Sequence, residues 1–174
     1  FLDVRVRRAM SMLLDRQLWI DTFENVEGFA REGIEIETRW NSHLALADER
    51  YWRDPKEGKV GEGSKYFAYN PSEAAKLFQA AGIMGLEFDF SFSTREPEHN
   101  MFAVFAQMLS AGGFLKPTLK ALPQNEYNQK LHLGKGLFEG IASLSAGSAA
   151  DPDFIFSARY LDGSAYSHFP GPLP

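Results

Sequence analysis

The order of periodic segments between residues 70 and 144 constrains the fold of this chain more than any other feature. Three strand patterns occur there, and a helical pattern lies between each strand and the next. The predicted strands are residues 86–92, 114–122 and 137–144, and the predicted helices between them begin at Pro97 and Gln124. Strands that alternate with helices are typical of crossover units and a parallel sheet. The sequence therefore predicts an α/β fold with a mainly parallel sheet flanked by helices.

Helix-start signals place three further helices. Asn70 and Pro71 supply an N-cap and a first helical residue, and Asp151 precedes Pro152 in the same way. Residues 2–26 contain neither Gly nor Pro, and their apolar residues recur at helical spacing. They predict one amphipathic helix of about five turns, with Asp3 at the N-cap and Arg16 on the wetter face.

Composition excludes several classes of protein. With 174 residues, 44% of them hydrophobic, the chain can form a core as one domain. A formal net charge of −5 argues against a nucleic-acid partner, and no apolar run is long enough to span a bilayer. The absence of cysteine excludes thiol catalysis and selects no compartment. The immediate run from Phe1 into a helix suggests a fragment or an excised lobe.

Residues 27–69 predict a long irregular excursion that is rich in aromatic side chains. Trp40 and Trp52 lie in it, and their order among the apolar residues fits neither a helix nor a strand. Each tryptophan is a candidate stacking surface for a ligand, and anchoring of the loop is the alternative for each.

The turns that follow the predicted strands are the second place where ligand contacts are expected. Ligands of parallel sheets gather at the carboxyl ends of the strands. Arg95 follows the first strand and can clamp a carboxylate, although Glu96 and Glu98 offer a plain surface pairing. Tyr127 follows the second strand, with helix packing as the alternative to a ligand contact.

Catalytic and metal chemistry have little support in the sequence. Asp151 and Asp153 form a carboxylate pair that can serve an α/β hydrolase or a glycosidase, but helix capping explains the same residues. The four histidines are far apart and show no zinc-site spacing. We therefore expect no catalytic residues, no metal and no cofactor.

Four segments carry a resemblance to a known family. They are DVRVRRAMSMLLDRQLWIDTF, YNPSEAAKLFQAAGI, FDFSFST with its following helix, and ADPDFIF. In this order they resemble the C-terminal lobe of family 5 extracytoplasmic solute-binding proteins, the peptide and nickel type of ABC-transporter receptor. The resemblance covers nearly the whole chain.

The resemblance implies a receptor rather than an enzyme. Two lobes would close by hinge motion around a peptide or another small solute and deliver it to a membrane permease. Residues 1–174 would form a single, incomplete lobe, and the N-terminal lobe would be missing. The protein would be periplasmic or extracellular, with a lipoprotein anchor as one form of attachment.

The resemblance also singles out two serines. Ser145 and Ser148 stand where peptide-binding members carry a Trp and the acid that holds the ligand's amino group. A ligand ammonium would lose a charge-assisted partner there. Sugars, opines and metal chelates therefore remain alternatives to peptides.

Overall fold

The computed structural model describes residues 1–41, 48–132, 138–143, 151–161 and 164. Two compact units divide the chain. Unit 1 comprises Phe1–Ser42, Arg53–Leu86 and Gln107–Lys116, and unit 2 comprises His43–Trp52, Glu87–Ala106 and Pro117–Pro174. Each unit is described separately below.

Seven α-helices and three strands occur in the described residues. The helices are α1 Val4–Met12, α2 Arg16–Glu24, α3 Val26–Arg31, α4 Pro71–Ala80, α5 Glu98–Ser110, α6 Gln124–Tyr127 and α7 Pro152–Arg159. The strands are β1 Leu86–Ser93, β2 Leu115–Leu122 and β3 Ile141–Ala142. Short 3₁₀ helices occupy Pro55–Glu57 and Gly61–Tyr66, and a π-helical turn at Asn128–His132 continues α6.

The three strands form one sheet in the order β2-β1-β3. β1 runs parallel to β3, with Phe90 opposite Ile141. The amide of Leu86 donates to Phe114 O at 2.9 Å, and that of Thr94 donates to Leu122 O at 2.8 Å, so β2 also runs in the direction of β1. The predicted α/β class and mainly parallel sheet are confirmed.

Unit 1 is built around α1 and α4, which pack against each other. Their shared core contains Ala9 and Phe78, both with no exposed surface. Phe78 stacks on Phe114 with ring centroids 5.3 Å apart. The Arg5 guanidinium donates to Ala80 O at 2.6 Å and so covers a carbonyl that the end of α4 leaves without a helical partner.

The prediction of one long helix over residues 2–26 was wrong. α1 ends at Met12, and α2 starts at Arg16. The Asp15 side chain caps α2 by accepting a hydrogen bond from Leu18 N at 3.0 Å. The amide of Asn70 donates to Met12 O at 2.9 Å. Partners from elsewhere in unit 1 thus satisfy the end of α1, and the helix can stop without a glycine or a proline. Asp3 caps α1 as predicted.

Unit 2 holds most of the sheet. Phe90 and Phe92 of β1 are fully buried, and α5 covers them with Phe102 and Phe105 at centroid distances of 6.3 and 5.9 Å. Burying a side chain of this size stabilises the fold by roughly 1.5–3 kcal/mol. The alternating pattern predicted a strand with one buried face, but both faces are buried from Phe90 to Ser93. The carboxyl end of β1 is therefore a core element.

The remaining sequence predictions are met in part. Asn70 and Asp151 cap α4 and α7 as expected, with hydrogen bonds of 3.1 and 2.7 Å to their capped amides. The predicted strand 137–144 was too long: β3 is limited to Ile141–Ala142, residues 138–140 and 143 are not part of a strand, and residues 137 and 144 lie outside the described part of the chain. In residues 27–69, α3 and the two 3₁₀ helices interrupt an otherwise irregular path.

Gly140 gives a test of the β1–β3 pairing. Its φ is +79°, and a Cβ built on it would lie 2.1 Å from Asp89 O. Gly82 has a similar φ of +72° but open space around the same position. We expect Gly82→Ala to cost about 1–2 kcal/mol from conformation alone, and Gly140→Ala to cost clearly more because β3 must move away from β1. Denaturant unfolding measures both free energies, and equal losses would contradict the close approach.

Candidate functional site

The carboxyl ends of the three strands meet in unit 2 and form the candidate site. We call this group of residues, Ser91, Ser93, Gln124, Asn128 and Ser143, the carboxyl edge. The amide of Ser143 donates to Ser91 O at 2.9 Å, which links the residue after β3 to β1. This is the position in a parallel sheet where ligands are usually held.

A chain of side-chain hydrogen bonds crosses the carboxyl edge. Ser93 Oγ and Gln124 Oε1 are 2.5 Å apart, and Gln124 Nε2 donates to Asn128 Oδ1 at 2.8 Å. Ser93 Oγ also accepts the amide of Arg95 at 3.0 Å. These groups are neutral, and Ser93 is buried. The hydrogen bonds among these groups hold the ends of β1 and β2 together.

Tyr127 supports the carboxyl edge from within the core. Its side chain is 1% exposed, and its hydroxyl donates to Ser143 O at 2.6 Å. Burial raises the pKa of Tyr127 to about 12. This environment favours the packing alternative considered for Tyr127, because the hydroxyl is committed to the turn after β3.

Arg95 lies at the end of β1 and is mostly exposed. Its guanidinium pairs with Glu98 at 3.3 Å, which is the surface pairing considered as the alternative to a ligand clamp. The Arg95 side chain is 63% exposed, whereas that of Glu98 is only 15% exposed, so water screens one side of the pair and not the other.

Trp40 lies in unit 1, against cations. The Arg16 guanidinium carbon is 5.9 Å from the Trp40 ring centroid, and Lys56 Nζ is 5.2 Å from it. Arg16 also lies 5.0 Å from the ring of Phe67. Cation–π contacts of this kind anchor the irregular segment, which was the alternative reading of Trp40.

Arg16 is the residue whose environment the sequence predicted incorrectly. It was placed on the wetter face of a long helix, but it is half-buried, and burial lowers the pKa of its guanidinium to about 10. Its Nη1 donates to Ser11 O at 2.9 Å and to Phe67 O at 2.7 Å. The only sequence signal for these contacts of Arg16 was its position immediately after the capping residue Asp15.

Trp52 belongs to unit 2 and follows a turn closed by Asp48. The amide of Trp52 donates to Asp48 O at 3.1 Å, and the amide of Arg50 donates to the Asp48 carboxylate at 2.9 Å. Hydrogen bonds from the side chain and backbone of Arg50 lower the pKa of Asp48 to about 2. The turn that presents Trp52 is thus fixed by its own side chains.

The other predicted site residues are placed as follows. Arg95 and Tyr127 each hydrogen-bond to a residue of the carboxyl edge, Ser93 and Ser143 respectively, whereas Trp40 lies in the other unit. Ser145 and Ser148 lie outside the described residues. Sequence reasoning missed Ser93 and Gln124, although Ser93 directly follows Phe92 of β1 and Gln124 is the first residue of the helix after β2.

The Asp151–Asp153 pair has a structural explanation. Asp151 Oδ1 accepts the amide of Asp153 at 2.7 Å and caps α7, as the capping interpretation predicted. Among the described residues, no group of three or more histidine or acidic side chains is arranged to hold a metal. Nor does any helix in those residues combine the length and apolar character needed to cross a membrane.

The Tyr127 hydroxyl gives a prediction for the carboxyl edge. Tyr127→Phe leaves Ser143 O without its donor and should cost about 1 kcal/mol of unfolding free energy, whereas Tyr69→Phe, on an exposed ring, should cost less than about 0.5 kcal/mol. The folded pKa is raised from 10.0 to about 12, so stability from this group is present below pH 10 and falls as pH rises towards 12. Unfolding at pH 9 and pH 11 should show a smaller loss in Tyr127→Phe than in the parent protein, and an identical loss would contradict the assignment.

Comparison with known proteins identifies the family of the chain. None of the curated proteins matches the chain. The family model described as "Bacterial extracellular solute-binding proteins, family 5 Middle" matches residues 1–167, which is nearly the whole chain. The resemblance inferred from the sequence is confirmed: the chain belongs to the family 5 bacterial extracellular solute-binding proteins.

Proposed function

We propose that this protein captures a small polar solute outside the cytoplasm and that the carboxyl edge of its sheet is one wall of the ligand site. The observation that carries the proposal is the family match over residues 1–167. Family 5 members are non-enzymatic components that bind solutes for ABC transporters and work with a membrane permease. The family implies a periplasmic or extracellular location, and attachment as a lipoprotein is part of the proposal.

The carboxyl edge supports hydrogen bonding to the solute. Ser93 lies at the buried end of β1, which pairs with a strand on each side, and its Oγ is within hydrogen-bonding distance of the neutral amide of Gln124. A rigid scaffold limits the ordering cost of binding, so hydrogen bonds made there count more fully towards affinity. Trp52 and Arg95, both in unit 2, are proposed as further contacts, one by stacking and one by charge.

Transport requires that the bound state differ from the free state. We propose that residues 1–174 form one lobe and that a partner lobe closes over the solute by hinge motion. Contacts made only in the closed form would stabilise it, and the permease would recognise that form. Tyr127 acts in this proposal as a positioning residue, because its hydroxyl holds the turn after β3.

The candidate solutes are peptides, sugars, opines and metal chelates. Ser145 and Ser148 stand at the positions of the Trp and of the ammonium-binding acid in peptide-binding members, and they favour a solute without a free amino group. This preference belongs to the proposal, together with the assignment of those two serines as ligand contacts.

A thermal-shift screen tests the proposed function. The full-length gene product is heated with each class of candidate solute. A solute that binds, present at a hundred times its dissociation constant, should raise the free energy of unfolding by about 2.7 kcal/mol. Arg95→Gln should reduce the shift produced by a solute that carries a carboxylate. Arg31→Gln is the control: it also removes one positive charge, from an exposed residue of α3, and it should leave that shift unchanged.

Two results would contradict the proposal. Absence of any shift across all four classes, with turnover of a test substrate, would favour an enzyme. If Arg95→Gln and Arg31→Gln reduce the thermal shift equally, Arg95 does not contact the solute.

A further inference from the structure

The chain of hydrogen bonds at the carboxyl edge has a direction. Ser93 Oγ accepts the amide of Arg95 at 3.0 Å and lies 2.5 Å from Gln124 Oε1. Ser93 is 6% exposed, and a buried hydroxyl proton needs an acceptor within the protein. In the described part of the chain, Gln124 Oε1 is the acceptor with which it is hydrogen-bonded. The hydroxyl of Ser93 therefore donates to Gln124, while its oxygen accepts from Arg95.

This direction fixes the orientation of two side-chain amides. Because Gln124 Oε1 accepts from Ser93, Nε2 is the atom that meets Asn128, and it donates to Asn128 Oδ1 at 2.8 Å. The reversed Gln124 amide would place Nε2 against Ser93 Oγ and would leave the buried hydroxyl proton without its acceptor. The Asn128 amide is fixed in turn, since the atom bonded to Gln124 Nε2 must be an acceptor. Asn128 Nδ2 thus remains outside the chain of hydrogen bonds.

Asn128 Nδ2 is an available donor at the carboxyl edge. Asn128 is half-buried, and its Nδ2 donates to no acceptor in the described residues. This nitrogen is also not among their buried polar atoms that lack a partner. Water therefore reaches Nδ2, and an oxygen atom of a solute can do the same. An amide nitrogen carries two N–H groups and accepts no hydrogen bond, so the chain ends in donors.

The chain also strengthens its terminal donor. A group that accepts one hydrogen bond and donates the next is polarised, and the effect passes along the chain. Ser93 and Gln124 both accept at oxygen and donate onwards, and Asn128 accepts from Gln124. All of these groups are neutral, so no nearby charge within the chain cancels the polarisation. Its positive end lies at Asn128 Nδ2.

We propose that Asn128 Nδ2 donates a hydrogen bond to an oxygen atom of the transported solute and that it disfavours an ammonium group there. The inference rests on the proposed function, because it takes the carboxyl edge as a wall of the ligand site. A hydroxyl, carbonyl or carboxylate oxygen has lone pairs for the N–H groups of Asn128. An ammonium has donors only, so its N–H groups would face those of Asn128. The solute class is a molecule that presents an oxygen acceptor, and not a cationic nitrogen, to the carboxyl edge.

Two matched pairs of probes test the inference. Alanylalanine is compared with N-lactoylalanine, and glucosamine is compared with glucose, so that in each pair a hydroxyl replaces the ammonium. The full-length protein is titrated with all four compounds by calorimetry at pH 6, where both amines are protonated. We expect the hydroxyl member of at least one pair to bind about tenfold or more tightly than its ammonium partner, a difference typical of one satisfied polar contact.

Asn128→Asp changes the exposed group from a donor to an acceptor. One carboxylate oxygen can still accept from Gln124 Nε2, so the variant should remain folded. In it the preference should invert, with the ammonium member binding about tenfold more tightly. Asn125→Asp is the control, because it makes the same change of charge at an exposed residue of α6. It should keep the preference of the parent protein.

Four results of these titrations would overturn the inference. They are an ammonium preference in the parent protein, equal binding within both pairs, binding of none of the four compounds, and equal changes in the two variants. A solute from the thermal-shift screen that binds Asn128→Asp as tightly as the parent protein would also overturn it, while leaving the proposed function intact.

Discussion

The central strand β1 hydrogen-bonds to a neighbour on each side, and the candidate ligand wall depends on this double pairing. Its last four residues, Phe90 to Ser93, are buried on both faces. Backbone bonds from Thr94 to β2 and from Ser143 to Ser91 bring the ends of the three strands to one place. Because β1 cannot move without losing both pairings and its aromatic core, the polar side chains at its end are held in fixed positions.

Local signals were enough to predict much of this fold. Asp3, Asn70 and Asp151 cap their helices through hydrogen bonds to amides two or three residues away, so each depends on a few neighbouring residues. Strands β1 and β2 were predicted to within one residue, because turn residues or helix starts bound their apolar patterns. Their alternation with helices was sufficient to predict the parallel sheet.

Interactions between distant segments explain what sequence reasoning missed. The break between α1 and α2 contains no glycine or proline, and it depends on Asn70 and Phe67, more than fifty residues away in sequence. The burial of Arg16 follows from the same contacts. Likewise, Ser93 and Gln124 are separated by 31 residues, and only the pairing of β1 with β2 brings their side chains within hydrogen-bonding distance. A periodicity argument has no access to such partners.

Hydrogen–deuterium exchange on the full-length protein, with and without a solute found by screening, tests the central claim most directly. If the solute is held at the carboxyl edge, amides in residues 91–95, 122–128 and 141–143 should exchange more slowly in its presence, because bound backbone and turn segments open less often. Protection confined to other parts of the chain, with these three segments unchanged, would contradict the account.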